Sequence, residues 1–131
     1  MTVLTDTSAL LAVLDADDKE HFRARRTWQK LIVDRVTLVC SNYIIVETTA
    51  LAQTRLGIEA VRVFHEDVVP LLTVEWIGAD LHAAAVTSLL TAGRKRLSLV
   101  DCTSFEIMRR RGIKDAFAFD RHFKEQGYRL V

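Results

Sequence analysis

Apolar and polar positions follow two rhythms along the chain, and these rhythms predict strands and helices in turn. Short apolar runs predict strands at TVLT (2–5), VTLVC (36–40), LLTVEWI (71–77), AFAF (116–119) and YRLV (128–131). Between these runs, apolar residues recur every three or four positions, which is typical of helices that bury one face. The predicted helices cover 8–14, 19–33, 42–56, 58–68, 79–92 and 98–112.

Strands that alternate with helices predict an α/β fold with a central, mainly parallel sheet between two helical layers, a three-layer α/β/α sandwich. Gly57, Gly93, Gly112 and Gly127 each follow a stretch with helical periodicity, where a left-handed C-terminal cap is expected. The length of 131 residues predicts one domain, covering 1–131. In parallel sheets of this kind, ligands bind outside the carboxyl ends of the strands.

Composition and charge narrow the classes of function. The formal net charge is +1, so a nucleic acid would have to be met by local basic patches. Cys40 and Cys102 do not have zinc-ligand spacing, and we interpret both as small buried residues in a reducing compartment. The N-terminus has no basic segment, and the run ALLAVL is too short to span a bilayer, so we expect a cytoplasmic protein with no membrane partner.

Four carboxylates occupy positions where a charge is costly unless it is paired or bound to a metal. Asp6 and Asp120 each follow a predicted strand. Glu47 and Asp101 lie on apolar stripes of predicted helices. If all four face the crevice at the strand ends, they lie close together.

Each of these acids also has an ordinary structural explanation. Asp6 and Asp120 could cap the helices that follow them. Ser98 and Asp101 fit a capping box, and Glu47 could reach solvent from the edge of its stripe. Capping does not require the four carboxylates to lie near one another, whereas a common site does. Two carboxylates ~4 Å apart repel by about 4 kcal/mol at an effective dielectric of 20, so such a site requires a cation, and oxygen ligands favour Mg²⁺ or Mn²⁺ over zinc.

Hydroxyl and basic side chains add further candidates. Thr7 and Ser8 follow Asp6, and Thr103 and Ser104 follow Asp101, where they could bind a ligated water or a phosphate oxygen. The runs RKR at 94–96 and RRR at 109–111 supply the candidate RNA contacts, namely Arg94, Lys95, Arg96, Arg109 and Arg110. For the second run, arginines in the last turn of a helix also complement its dipole.

Three segments, VLTDTSALLAVLD, SNYIIVETTALAQ and LSLVDCTSFEIMRRRGIKDAFAFDRHF, resemble the PIN-domain family, specifically the VapC-like ribonuclease toxins of type II toxin–antitoxin pairs. The resemblance covers nearly the whole chain. It implies an acidic catalytic site at Asp6, Glu47, Asp101 and Asp120, with Asp6, Asp101 and Asp120 as metal ligands. It further implies a Mg²⁺-dependent endoribonuclease, with Mn²⁺ as a substitute, in which metal-activated water attacks RNA. A cognate antitoxin and a homodimer are the expected protein partners.

Other classes of protein fit less well. A phosphorelay receiver would have two adjacent acids after the first strand, and a haloacid-dehalogenase-like phosphatase would have D-x-D where this chain has D-T-S. The alternative that stays open is a non-catalytic binding module whose acids recruit a basic partner. The four histidines are scattered, although His122 lies two residues from Asp120.

The helices predicted at 42–56 and 58–68 carry more apolar residues than one buried face requires. If the surplus is exposed, it predicts an interface. The residues concerned are Ile44, Ile45, Val46, Leu51, Leu56, Ile58, Val61, Val63, Phe64 and Val68.

Overall fold

The structure is a computed structural model that describes residues 1–94 and 96–131. Within these residues, five strands form one sheet: β1 (Thr2–Thr5), β2 (Thr37–Ser41), β3 (Thr73–Glu75), β4 (Asp115–Phe117) and β5 (Arg129–Leu130). The helices are α1 (Thr7–Leu14), α2 (His21–Val33), α3 (Asn42–Leu56), α4 (Ile58–Val63), α5 (Ala79–Ala92), α6 (Leu99–Arg111) and α7 (His122–Glu125).

The strands are all parallel and lie in the order β3–β2–β1–β4–β5. Along the chain, β2 and β3 therefore follow one another on one side of β1, whereas β4 and β5 lie on the other side of β1. The direction in which strands are added reverses between β3 and β4. Because crossovers between parallel strands are right-handed, this reversal sends helices to opposite faces of the sheet. Consistent with this, α1 packs on α2 and α3, and α3 packs on α4, whereas α5 packs mainly on α6. The predicted α/β fold with a parallel central sheet is confirmed.

The centre of the sheet is buried because helices cover both of its faces. Val3 and Leu4 of β1, Val39 of β2 and Phe117 of β4 have no exposed surface. Burying a side chain of this size contributes roughly 1.5–3 kcal/mol to the stability of the folded state, so the apolar residues of the central strands hold the sheet and the helices together. The backbone at the carboxyl ends of β1 and β4 is therefore held by a rigid scaffold.

Several element boundaries differ from the sequence prediction; β3, for example, covers only Thr73–Glu75 of the strand predicted at 71–77. The apolar alternation predicts a strand through Phe119, but β4 ends at Phe117. The helix predicted at 58–68 keeps α-helical geometry only to Val63, and a π-helical turn covers Phe64–Val68. The proline at position 70 cannot donate a backbone hydrogen bond, which helps to end the helix there.

Two other features bear on the sequence interpretation. In the described part of the chain, no helix combines the length and the apolar character that crossing a membrane would need. Both cysteines are buried free thiols, as predicted.

Candidate active site

The candidate site lies at the point where the strand order reverses, between β1 and β4. Asp6 directly follows β1, and its backbone N–H donates to the carbonyl of Phe117, the last residue of β4, at 3.0 Å. Asp120 lies three residues beyond that strand end. Because parallel α/β sheets open a crevice at such a reversal, the fold brings these two carboxylates to the same edge.

Asp6 caps helix α1, and its carboxylate is fixed by Ser8. Its Oδ2 accepts hydrogen bonds from the backbone N–H of Ser8 at 3.1 Å and from the Ser8 hydroxyl at 2.7 Å. The same hydroxyl oxygen accepts the backbone N–H of Phe119 at 2.9 Å. Ser8 therefore ties the residue after β1 to the segment that leads to Asp120.

Asp101 lies in the first turn of α6 and forms a complete capping box with Ser98. The Ser98 hydroxyl accepts the Asp101 backbone N–H at 3.0 Å, and Oδ2 of Asp101 accepts the Ser98 backbone N–H at 3.1 Å. The capping explanation is therefore correct for Asp101 and for Asp6. It does not compete with a common site, since both side chains also face one crevice.

This crevice has a volume of ≈ 340 Å³, and all four of the carboxylates predicted from the sequence line it: Asp6, Glu47, Asp101 and Asp120. Glu47 reaches it from α3, opposite the strand ends. Thr7, Ser8, Leu11, Leu51, Arg55, Arg96 and Ser98 complete the lining. Acids from four separate chain segments thus meet in one place.

The electrostatics of the crevice show that Asp101 and Glu47 act on Asp6. Burial raises the pKa of Asp6 from 3.8 to about 6, against the opposing effect of the two Ser8 hydrogen bonds. The negative charges of Asp101 and Glu47 raise the pKa of Asp6 further. A cation in the crevice would relieve this repulsion.

His122, at the start of α7, contacts two of the acids. Its Nδ1 lies 3.3 Å from Oδ2 of Asp101 and 3.4 Å from Oδ1 of Asp120, and its backbone N–H donates to Asp120 at 2.9 Å. One potential ligand atom from each of these three residues lies within 4.8 Å of the others. The sequence placed His122 near Asp120 but did not assign it a role.

The donor chemistry of the crevice fits a hard divalent cation. Carboxylate oxygens supply most of the potential ligands, as Mg²⁺ and Mn²⁺ prefer, and His122 offers one nitrogen, which Mn²⁺ accepts more readily than Mg²⁺ does. Asp6 lies outside the three-residue group formed by Asp101, Asp120 and His122. It still belongs to the same crevice, where the charge of Asp101 acts on it.

The predicted supporting hydroxyls divide into two pairs. Thr7 and Ser8 line the crevice, and the Thr7 hydroxyl accepts a hydrogen bond from Thr48 at 3.0 Å. The structure does not bring the other pair there. The hydroxyl of Thr103 donates to the carbonyl of Val100 at 2.6 Å, and the side chain of Ser104 is fully buried.

The predicted RNA contacts are also divided. Arg96 lines the crevice, whereas Arg94 forms an ion pair with Glu125 at 2.9 Å. Lys95 lies outside the described residues. Position 109 is eight residues beyond Asp101 on α6, so the run at 109–111 starts about 12 Å further along the helix axis.

Ion pairs hold the arginines at 109–111 on that distant side of the molecule. Arg109 pairs with Glu106, and Arg110 pairs with Glu106 at 2.9 Å and with Asp80 at 3.1 Å. The structure therefore does not bring Arg109 and Arg110 to the acidic crevice.

Sequence reasoning missed Arg55, an exposed residue that lines the crevice from α3. Glu47, Leu51 and Arg55 follow one another at intervals of four on this helix, so they share a face. This helical spacing from Glu47 was the feature of the sequence that could have identified Arg55. Asp115 starts β4, at the end of the strand away from the crevice, and its carboxylate accepts hydrogen bonds from Arg129 at 2.6 and 3.1 Å.

Comparisons with known proteins agree with this geometry. The profile of the PIN domain matches residues 3–127. The 23S rRNA-specific endonuclease VapC20 of Mycobacterium tuberculosis is 33% identical over 127 residues, which are 96% of this chain and 95% of VapC20. The crystal structure of VapC20, described as a Sarcin-Ricin loop cleaving toxin, superposes with a TM-score of 0.85 and 31% identity, over 96% of this chain and 95% of VapC20.

More distant structures share the fold. FitAcB from Neisseria gonorrhoeae has a TM-score of 0.68 at 16% identity, over 100% of this chain and 96% of that one. VapBC2 from Rickettsia felis, solved with a fragment of promoter DNA, has a TM-score of 0.70 at 10% identity, over 100% and 98%. With a family profile that spans almost the whole sequence and a relative that aligns along nearly its full length, this chain belongs to the PIN domain family.

Proposed function

We propose that this protein is a divalent-metal-dependent endoribonuclease and the toxin of a toxin–antitoxin pair. The observation that carries the proposal is the meeting of Asp6, Glu47, Asp101 and Asp120 in one crevice at the strand-order reversal. A structural cap needs no such convergence. The likeness to VapC20, an RNA endonuclease, supports RNA as the substrate class and makes 23S rRNA the first substrate to test.

In this proposal Asp6, Asp101 and Asp120 hold Mg²⁺, or Mn²⁺ in its place, and Glu47 completes the catalytic acids. The bound cation supplies activation of water at neutral pH and charge stabilisation at the phosphodiester. Ser8 and Ser98 keep the carboxylates of Asp6 and Asp101 in fixed orientations. This fixed geometry removes the need to reorganise the site during the reaction.

Arg55 and Arg96 are the cationic side chains that we assign to the RNA backbone near the cleaved bond. Both line the crevice beside the acids. A polyanion approaching four carboxylates is repelled unless local positive charge compensates, and guanidinium groups bind phosphate oxygens through two parallel hydrogen bonds. The net charge of +1 leaves this task to such local groups.

Cleavage of purified RNA with and without metal tests the proposal. Wild-type protein should cut 23S rRNA in Mg²⁺ and in Mn²⁺ and should stop in excess EDTA. Asp101→Asn should be inactive while keeping its capping box, since an asparagine oxygen can still accept the Ser98 N–H. Asp67→Asn is the matched control, because Asp67 is an exposed carboxylate in the π-helical turn.

Two outcomes would reject the proposed metal site. Full activity in EDTA would contradict the metal dependence, and near-wild-type cleavage by Asp101→Asn would reduce Asp101 to a helix cap. Absence of cleavage in every metal, combined with tight binding of a basic protein at the crevice, would favour the non-catalytic binding module instead.

The proposal includes two protein partners, a second copy of the chain and an antitoxin, and a cytoplasmic location where RNA is available. Part of the apolar surplus on α3 and α4 is exposed: Val46 by 68%, Ile58 by 59% and Val63 by 45%. Contact with a second copy would cover these side chains. Analytical ultracentrifugation should therefore show a dimer, and a monomer at micromolar concentration would count against this part of the proposal.

An inhibitor of this site should bring a cation to the four acids, and arginine is the best candidate because it binds carboxylates in a bidentate manner. Co-expression with the neighbouring small reading frame should yield a complex that does not cut RNA. Failure of the two proteins to co-purify, or cleavage by the complex, would contradict the antitoxin pairing.

A further inference from the structure

Helix α2 carries a row of basic side chains that the sequence analysis did not single out. Its thirteen residues include Arg23, Arg25, Arg26 and Lys30 and contain no aspartate or glutamate. Arg23, Arg26, Thr27 and Lys30 line one shallow surface depression of ≈ 330 Å³. These four positions are spaced three and four apart, so they share one side of the helix, and we call them the α2 stripe.

The α2 stripe begins beside the acidic crevice. The guanidinium carbon of Arg23 lies 5.4 Å from the centre of the Phe119 ring, in cation–π contact. Phe119 immediately precedes Asp120, and its backbone N–H is bound to the Ser8 hydroxyl that also contacts Asp6. Two contacts, from Arg23 to Phe119 and from Phe119 to Ser8, therefore connect the stripe with Asp6.

From this rim the stripe leads away from the crevice. Arg23 and Lys30 are separated by about 10 Å along the helix axis. Helix α2 then ends near the amino end of β2, where Thr37 pairs with Thr2 of β1. A flexible strand of RNA that enters the crevice could therefore follow the stripe along the side of the molecule.

The charges of the stripe are available to an anionic ligand. The side chains of Arg23 and Lys30 are 73% and 77% exposed, with Glu20 at 2.8 Å and Asp34 at 2.9 Å as their ion-pair partners. Exposed pairs of this type contribute little to stability, so a phosphate can replace these carboxylates at little cost.

An exposed aromatic residue lies next to the stripe. The side chain of Phe22 is 82% exposed, one helical turn before Arg26. Aromatic side chains interleaved with cations are the usual means of binding single-stranded RNA, since bases stack on the rings while the cations meet the phosphates. The neighbouring charges favour this occupant over an apolar protein surface.

We propose that the α2 stripe binds the phosphates of the single-stranded RNA that flanks the cleaved bond, with Phe22 as a stacking platform. The inference rests on the proposed ribonuclease function and extends it by naming the surface that holds the substrate. The stripe makes no contact with the bond that breaks. Its loss should therefore weaken RNA binding and raise KM, with little change in kcat.

The test uses the variants Arg26→Gln, the triple variant Arg23→Gln/Arg26→Gln/Lys30→Gln, and Phe22→Ala. Arg25→Gln is the matched control, because Arg25 is an exposed arginine on the same helix but lies roughly opposite the stripe. Circular dichroism and thermal unfolding establish that each variant is folded. Binding of a fluorescein-labelled single-stranded RNA oligonucleotide is then measured by anisotropy over a range of salt concentrations, with EDTA present to prevent cleavage.

We expect the triple variant to lower the slope of log K against log salt by about 2, since each phosphate contact on a single strand contributes about 0.7. Arg26→Gln should lower the slope by about 0.7, Phe22→Ala should weaken binding with the slope unchanged, and Arg25→Gln should behave like the wild type. In Mg²⁺, the KM for RNA should rise more for the triple variant than for Arg26→Gln, and it should not rise for Arg25→Gln. Because the anisotropy titrations measure binding without cleavage, the affinities and salt slopes do not depend on catalytic activity.

Equal salt slopes and equal KM values for the triple variant and the wild type would overturn the inference while leaving the ribonuclease proposal intact. Wild-type protein that binds RNA through the stripe but cuts nothing would instead reject the ribonuclease proposal alone. Variants that bind and cut RNA normally but escape inhibition by the antitoxin would show that the stripe is a protein-binding surface, which also overturns the inference.

Discussion

Replacing Asp6 by asparagine should make the metal-free protein more stable. The pKa of Asp6 rises from 3.8 to about 6 in the folded protein, mainly through burial. One pKa unit corresponds to about 1.4 kcal/mol, so the ionised carboxylate costs the folded state about 3 kcal/mol at pH 8. This figure already includes the favourable Ser8 hydrogen bonds. Asparagine removes the charge but caps a helix as well as aspartate does, so α1 should still begin at the same residue.

The sign of the pH dependence follows from the direction of the shift. Between pH 3.8 and about 6 the folded protein binds more protons at Asp6 than the unfolded chain does. The stability contribution of protonated Asp6 is therefore complete below this window and is lost as the pH rises through it. The advantage of Asp6→Asn over the wild type should be near zero at pH 4 and should reach its full size above pH 7.

Urea unfolding in EDTA at pH 4, 6 and 8 measures this difference directly, and thermal unfolding at pH 8 should show a gain of about 10 °C. Added Mg²⁺ should narrow the gap, because the cation offsets the buried charge only in the wild type. Asp67→Asn serves as the control for loss of an exposed carboxylate. Equal stability of wild type and Asp6→Asn at pH 8, or an advantage that persists undiminished at pH 4, would show that the ionised Asp6 carboxylate does not destabilise the fold.

Three further predictions address the chemistry and the scaffold. Attack by water should leave 5′-phosphate and 3′-hydroxyl ends, which adaptor ligation to the RNA fragments detects; cyclic 2′,3′-phosphate ends would show that the ribose hydroxyl attacked instead. Ser98→Ala should cost about 1 kcal/mol in urea unfolding by removing the cap of α6, and unchanged stability would contradict the role of the capping box. Asp115→Asn should lower the urea midpoint at pH 7, because the hydrogen bond from Arg129 lowers the pKa of Asp115, and this loss of stability should disappear as the pH falls below the usual aspartate range. Cleavage should be unchanged, since Asp115 lies at the end of β4 away from the crevice, and a loss of cleavage would contradict the placement of the site.

Local sequence was sufficient where a local rule determines the structure. The four glycines predicted to end helices all have positive φ, between 60° and 96°. Gly93 and Gly112 form the predicted left-handed caps, but the prediction was wrong for Gly57, whose ψ is 178°. The apolar strands and the capping box at Ser98 followed from spacing alone. Asp6 and Asp120 could be grouped because the carboxyl ends of parallel strands lie at one edge. Glu47 and Asp101 were added to them as acids on apolar helix stripes and through the family resemblance.

Contacts between distant segments could not be predicted in the same way. The alternation AFAF continues to Phe119, yet the strand stops at Phe117, because the N–H of Phe119 binds the Ser8 hydroxyl at 2.9 Å instead of a neighbouring strand. That bond joins residues 111 positions apart. The position of His122 between Asp101 and Asp120 likewise depends on the packing of α7, which propensity does not reveal.

The basic residues illustrate the limit of reading charge density along a chain. Runs of consecutive arginines at 109–111 are prominent in the sequence, but they form ion pairs with Glu106, Asp80 and Glu75 on a distant side. Arg55 is isolated in sequence and yet lines the crevice. Helical spacing, rather than density, identifies both Arg55 and the α2 stripe.

In the proposed function the crevice holds a divalent cation through its carboxylates, and Mn²⁺ binding followed by electron paramagnetic resonance tests this without any assumption about the substrate. Wild-type protein and Asp67→Asn should deplete the signal of free Mn²⁺ equally. The double variant Asp101→Asn/Asp120→Asn should leave that signal unchanged while remaining folded. Mn²⁺ binding by the double variant that equals wild-type binding, or no binding by the wild type, would contradict the account.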